Sequence, residues 1–130
     1  MKKKVRILLA KPGLDGHLRG INVLARGLRE AGMEVIYLGV DQTPREISRA
    51  SIEEGVDIIG LSIHAGGPIT LVNKVRIGLK EMDSDDIPII VGGIISKKEK
   101  QHLLDIGVIG AFGPGSTIEK IVGTIEGAIT

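Results

Sequence analysis

Five short apolar runs divide the chain at nearly even spacing: VRILLA (5–10), EVIYLG (34–39), VDIIGLS (56–62), IPIIVGG (87–93) and VIGAF (108–112). They are rich in Ile and Val and do not alternate polar with apolar, which is how strands buried on both faces read. A sheet covered on both faces needs helices between its strands, and the intervening sequence supplies them. Ile21, Leu24, Ala25 and Leu28 share one helical face, as do Val72, Val75, Leu79 and Met82, and then Ile118, Ile121, Val122 and Ile125. Capping-box spacing marks helix starts at Thr43–Glu46, with Pro44 at the first helical position, at Ser96–Glu99 and at Ser116–Glu119. Gly32, Gly55 and Gly107 fall where helices should stop. These βα units predict an α/β fold: a doubly wound, five-stranded parallel sheet of flavodoxin type, strand order 2-1-3-4-5. With 130 residues, no linker and no low-complexity segment, residues 1–130 read as a single domain.

Composition removes several functions. Without cysteine there is no disulfide, thiolate nucleophile or zinc-thiolate site. One Phe, one Tyr and no Trp argue against base-stacking platforms and an aromatic flavin sandwich. Net charge is +1 with both signs interspersed, and Lys2–Lys4 reads as a solvated terminus, so no nucleic-acid partner is expected. The first apolar run is too short for a signal-peptide core and no run could span a bilayer. A soluble cytoplasmic domain without membrane contact is the expectation.

In such sheets ligands bind at the carboxyl ends of the strands. Those ends are Lys11–Gly20, Gly39–Thr43, Ser62–Pro68, Gly92–Ser96 and Phe112–Thr117. A phosphorylated receiver would need acidic residues after the first strand and an aspartate ending the third, where Lys11 and Ser62 stand. Gly13, Gly16 and Gly20 lack dinucleotide-fold spacing, and the first loop lacks the Ser and Thr of a flavin-phosphate loop. The cluster Lys11, Asp15 and His17 remains. Its spacing suits an ordinary helix entry with an Asx-turn at Asp15. It equally suits metal ligation, in which a carboxylate takes the far N–H of a metal-bound imidazole. A single histidine does not hold a bare ion, but it suffices if the metal arrives inside a macrocycle.

Asp15-Gly16-His17-Leu18-Arg19-Gly20 resembles the D-x-H-x-x-G motif of cobalamin-binding domains. The wider KPGLDGH (11–17) and FGPGS (112–116) resemble the methylmalonyl-CoA mutase branch, over almost the whole chain. Spacing strengthens the likeness: residues 21–61 separate Gly20 from Ser62, and residues 65–91 separate His64 from Gly92-Gly93, near the family's separations of its S-x-L and G-G motifs. The resemblance implies that His17 is the lower axial ligand of cobalt. Asp15 would hydrogen-bond its far nitrogen, and Lys11 would pair with Asp15. Gly16 and Gly20 belong to the same motif. The displaced nucleotide tail would descend beside the sheet, with Ser62 bonding its base and Gly92 and Gly93 letting it pass close to the backbone. Gly113 and Gly115, around Pro114, would line its far end, with Ser116 and Thr117 as polar candidates. One departure stands out: His64 occupies the place of the family's leucine, which reads as a substitution at the pocket mouth or as a second polar contact. His102 reads as solvent-exposed. A Gly93→Val change is expected to block the tail while sparing the fold, provided Gly93 has negative φ.

The family's mutases use adenosylcobalamin to isomerise acyl-CoA thioesters through radicals. Their substrate sits in a (β/α)8 barrel, which takes about 250 residues. The resemblance therefore implies the cobalamin-binding small subunit of a heteromeric acyl-CoA mutase, an isomerase only together with a large barrel subunit that binds the acyl-CoA. The alternative is a corrinoid carrier or cobalamin sensor without isomerase activity. Methyl-carrying relatives usually have a helical segment before the first strand, and only Met1–Lys4 precede it here, which favours the mutase reading.

Overall fold

The computed structural model describes residues 4–12, 19–63 and 67–129. Strands and helices alternate along the chain: β1 (Arg6–Pro12), α1 (Arg19–Glu30), β2 (Glu34–Gln42), α2 (Pro44–Glu53), β3 (Ile58–Ile63), α3 (Pro68–Lys80), β4 (Ile89–Gly93), α4 (Lys97–Asp105), β5 (Gly110–Phe112) and α5 (Ile118–Ile129). The strands form one sheet in the order β2-β1-β3-β4-β5, every pair parallel, as the apolar runs predict.

Successive strand residues point to opposite faces, so each strand feeds two cores. On one face Ile7, Leu9, Ile58 and Ile90 pack with Ile21, Ala25 and Leu28 of α1 and Ile121 and Ile125 of α5. On the other, Leu8, Ala10, Ile59, Leu61 and Val91 pack with Ile47 of α2, Val72, Val75 and Leu79 of α3 and Leu103 of α4. Close helix contacts use small residues. A Cβ on Gly27 would lie 2.9 Å from the Ile118 side chain, so α1 and α5 touch there. A Cβ on Gly78 would lie 2.8 Å from that of Ser48, whose hydroxyl donates to the carbonyl of Val75 across the α2–α3 contact (2.7 Å).

Several boundaries differ from the sequence reading. β1 continues through Lys11 and Pro12, and β2 reaches Gln42, because Pro12 pairs in register with Gln42 beyond two irregularities in the ladder. Met82 lies past the end of α3 and is about half exposed, so it does not extend that helix's buried face. The capping boxes at Thr43–Glu46 and Ser96–Glu99 are both closed reciprocally. The third cap is shifted by one residue: the hydroxyl of Thr117, not Ser116, accepts from the backbone N–H of Lys120 (3.2 Å), three positions on. Gly32, Gly55 and Gly107 take positive φ at the three expected helix ends. No described helix is long and apolar enough to cross a membrane.

Candidate functional site

Parallel register fixes two rows of residues on the α1/α5 face. Leu9 pairs with Gly60, which pairs with Ile90, in the middle of the sheet. Two residues further toward the carboxyl ends, Ser62 pairs with Gly92, which pairs with Phe112. Glycine in each row removes the side chain that would fill the space above the sheet. A cavity of about 670 Å³ results. Its inner row is Leu9, Gly60 and Ile90, and its outer row Ser62, Gly92 and Phe112. Gly20, Ile21, Val23 and Leu24 of α1 form one wall, and the 113–116 loop with Ile118 and Ile121 of α5 the other.

The glycines are of two kinds. Gly92 leaves real space, since an added Cβ would meet nothing nearer than the Phe112 carbonyl oxygen at 3.8 Å. Around Gly20, Gly113 and Gly115 nothing lies within 4 Å of that position. Gly93 and Gly60 are glycine for internal reasons. Gly93 has φ +143 and its Cβ would overlap the backbone of Ile63, while that of Gly60 would lie 2.7 Å from Leu9 Cδ2. The proviso attached to Gly93→Val is therefore not met: the strand end itself forbids a side chain there.

Of the residues expected at a ligand site, Gly20, Ser62, Gly92, Gly93, Gly113, Gly115 and Ser116 line this one cavity, although they come from four separate segments. Ser62 is buried, and among the described residues no hydrogen bond engages its hydroxyl. Thr117 is exposed and is used as the α5 cap. Lys11 is fully buried near the end of β1 and does not line the cavity. A buried ammonium requires compensating partners, which suits an ion-pairing role. Asp15, Gly16, His17 and His64 lie outside the described residues. His102 is exposed on α4, as expected. A second groove of about 410 Å³ between α2 and α3 contains none of the expected residues.

Leu9, Gly60, Ile90, Phe112 and, on α1, Ile21, Val23 and Leu24 were not singled out as site residues from the sequence. Leu9 and Ile90 read simply as core. Gly60 carried a usable signal, since a lone glycine inside a strand marks a close approach.

The B12-binding domain model matches residues 5–122. The chain belongs to the B12-binding domain family. Among curated relatives, the small subunit of 2-hydroxyisobutanoyl-CoA mutase of Aquincola tertiaricarbonis is 42% identical over 80% of this B12-binding chain and 76% of its own length. The pivalyl-CoA mutase small subunit of Xanthobacter autotrophicus is 40% identical over 92% of this chain and 80% of that one. Ethylmalonyl-CoA mutase of Methylorubrum extorquens is 40% identical over 84% of this chain but only 16% of its own. Among solved structures, a cobalamin-binding protein from Desulfitobacterium hafniense superposes with a TM-score of 0.73 at 25% identity, over 98% of this chain and 60% of that one.

Proposed function

We propose that this chain is the cobalamin-binding small subunit of a heteromeric, adenosylcobalamin-dependent acyl-CoA mutase, acting as one domain over residues 1–130. One observation carries the reading: Ser62, Gly92, Gly113 and Ser116, expected around a nucleotide tail, line one cavity beside the sheet, and an added Cβ at Gly92 or Gly113 would meet nothing within 3.5 Å. The residues present fit such a tail. The row of Leu9, Gly60 and Ile90 offers an apolar face, and the Ser62 hydroxyl offers one polar contact.

In this role Ser62 hydrogen-bonds the tail's base, Gly92 gives it room, and the 113–116 loop borders its far end. His17 would hold the cobalt, Asp15 would orient and polarise the imidazole, and the buried Lys11 would keep the Asp15 carboxylate ionised. An adenosylcobalamin held there would supply the radical chemistry of the isomerisation. The chain's own contribution is to anchor the corrin and to keep the displaced base out of water. The acyl-CoA site, in a (β/α)8 barrel, belongs to a large partner subunit in the cytoplasm. Relatives that are separate small subunits favour this reading over a free carrier or sensor. Those two relatives are named for different acyl-CoA thioesters, so substrate choice is assigned to the large subunit.

The test is reconstitution. The chain should bind cobalamin alone, and should isomerise an acyl-CoA only when mixed with its large subunit and adenosylcobalamin. Uniform nitrogen-15 labelling of the protein should alter the nitrogen hyperfine pattern of the cobalt(II) EPR spectrum. An unchanged pattern means the cofactor's own base stays bound and removes the role given to His17. Isomerase activity of the purified chain alone removes the small-subunit reading.

A further inference from the structure

We propose that the groove between α2 and α3 is a homodimer face, on which a second copy of this chain docks about a two-fold axis beside Ile77. The proposal makes no use of the cavity on the α1/α5 face, because α2 and α3 pack on the opposite face of the sheet.

Gly78 and Ser48 meet at the floor of this groove, where the two helices touch. Above the floor stand two apolar side chains, Ile77 at 58% exposure and Met82 at 49%. Apolar area left in water is free energy still available to association. Arg45, Arg49 and Lys74 border the same groove, and so does Glu81. Among the described residues no ion pair engages any of these four side chains.

The order of charges along α3 selects the occupant. Lys74, Ile77 and Glu81 stand at i, i+3 and i+7, on one helical stripe with the apolar residue between opposite charges. Glu81 caps α3 with φ and ψ that are still helical, so the stripe continues to it. Lys74 and Glu81 are about 10.5 Å apart along the helix axis, too far to pair within one chain. Read backwards, the stripe is the same with its signs exchanged. Two copies of α3 laid antiparallel therefore put Lys74 of each against Glu81 of the other, and Ile77 against Ile77. That is the self-complementarity of an isologous interface, in which residue i meets j and j meets i. An unrelated partner demands no such mirror order. Asp83, Asp85 and Asp86 are exposed just past Glu81 and extend the acidic end, supplying counter-charges for Arg45 and Arg49 of the other copy. Exposed ion pairs contribute little each, so Ile77 and Met82 supply the attraction and the charges fix which surface is accepted.

The experiment is sedimentation equilibrium of the full chain from micromolar to millimolar loading. The wild-type mass should rise from that of the monomer toward that of the dimer. Lys74→Glu and Glu81→Lys each set like charges opposite one another on both sides of the axis, and each should weaken the dimer by about 10-fold or more. Mixing the two variants restores opposite charges at both places, and the mixed dimer should return to within about 3-fold of wild-type affinity. Both positions are exposed, so circular dichroism should show each variant folded. A wild-type chain that stays monomeric throughout overturns the proposal without need of any variant. So do single variants that dimerise as tightly as the wild type, and a mixture that recovers nothing. If the chain is monomeric and Lys74→Glu instead weakens its hold on a large mutase subunit, the groove faces that subunit and the homodimer is overturned.

Discussion

Gly93 and Ile63 meet backbone to backbone at the carboxyl ends of β4 and β3. A Cβ on Gly93 would overlap the Ile63 carbonyl oxygen and stand 2.9 Å from its carbonyl carbon, and the residue's φ is +143. The two residues are register partners, so neither can withdraw without opening the ladder. Gly93→Ala should therefore destabilise the chain by about 2 kcal/mol or more, the combined cost of positive-φ strain and a backbone overlap. Urea denaturation without cofactor reads this directly. A variant as stable as the wild type would mean that the strand end relaxes easily.

Gly92, one residue earlier, separates binding from folding. Its Cβ position is open, with the nearest atom 3.8 Å away, and it lies in a strand where a β-branched residue is at home. Gly92→Val should leave stability within about 1 kcal/mol of wild type, as unstrained changes away from tight packing do. The added isopropyl group occupies cavity space, so cobalamin affinity should fall by about 10-fold or more, as overpacking of a fitted site does. Normal affinity in a stable Gly92→Val protein would place the tail elsewhere.

These two glycines show how far sequence reaches. The strands, the helices and most of their starts follow from runs and caps that act locally, and local signals are visible in one chain, while the strand order was the preferred topology for a doubly wound sheet. Ser62, Gly92 and the 113–116 loop were legible as site residues through the resemblance to cobalamin-binding domains, which matches motifs to these strand ends. The difference between Gly92 and Gly93 was not, since it depends on how near the Ile63 backbone comes across the ladder. Leu9 and Ile90 were hidden for the same reason. A core leucine and a cavity-lining leucine look alike until the register sets them on either side of Gly60. The shifted cap at Thr117 shows the limit within local signals, because Ser116 and Thr117 both offer a hydroxyl and tertiary position chooses between them.

The cap of α2 carries a pH dependence. Glu46 has its carboxyl held below its ordinary value of 4.5, first because the Thr43 backbone N–H donates to it and then through the Thr43 side chain. A carboxyl with a lowered folded pKa stabilises fully above its unfolded value and loses that contribution as pH falls through the folded one. The window therefore opens near pH 4.5 and extends downward. Glu46→Gln should flatten this part of the acid-unfolding curve while leaving the neutral-pH fold intact. The difference between the two curves below pH 4.5, followed by circular dichroism, is the readout. Parallel curves would mean that solvent screens the exposed Glu46 carboxylate completely.

The buried lysine gives the sharpest test of the proposed cobalt-binding relay. Lys11 has no solvent exposure, and a buried ammonium is costly without a matching charge inside the protein. If that match is the Asp15 carboxylate behind His17, the three residues should rank by distance from cobalt. His17→Ala removes the ligand and should be the most damaging to cobalamin binding. Asp15→Asn keeps a hydrogen-bonding group but no negative charge to stabilise positive character on the ring, and should cost roughly 10–100-fold in affinity or activity. Lys11→Met keeps the length and removes the charge, and it reaches the ring only through Asp15, so its loss should be the mildest. Cobalamin titration of each variant gives the ranking, and denaturation of each without cofactor separates it from misfolding. If Lys11→Met binds worst while folding normally, the relay is wrong, and the ammonium acts on the corrin or the partner subunit directly.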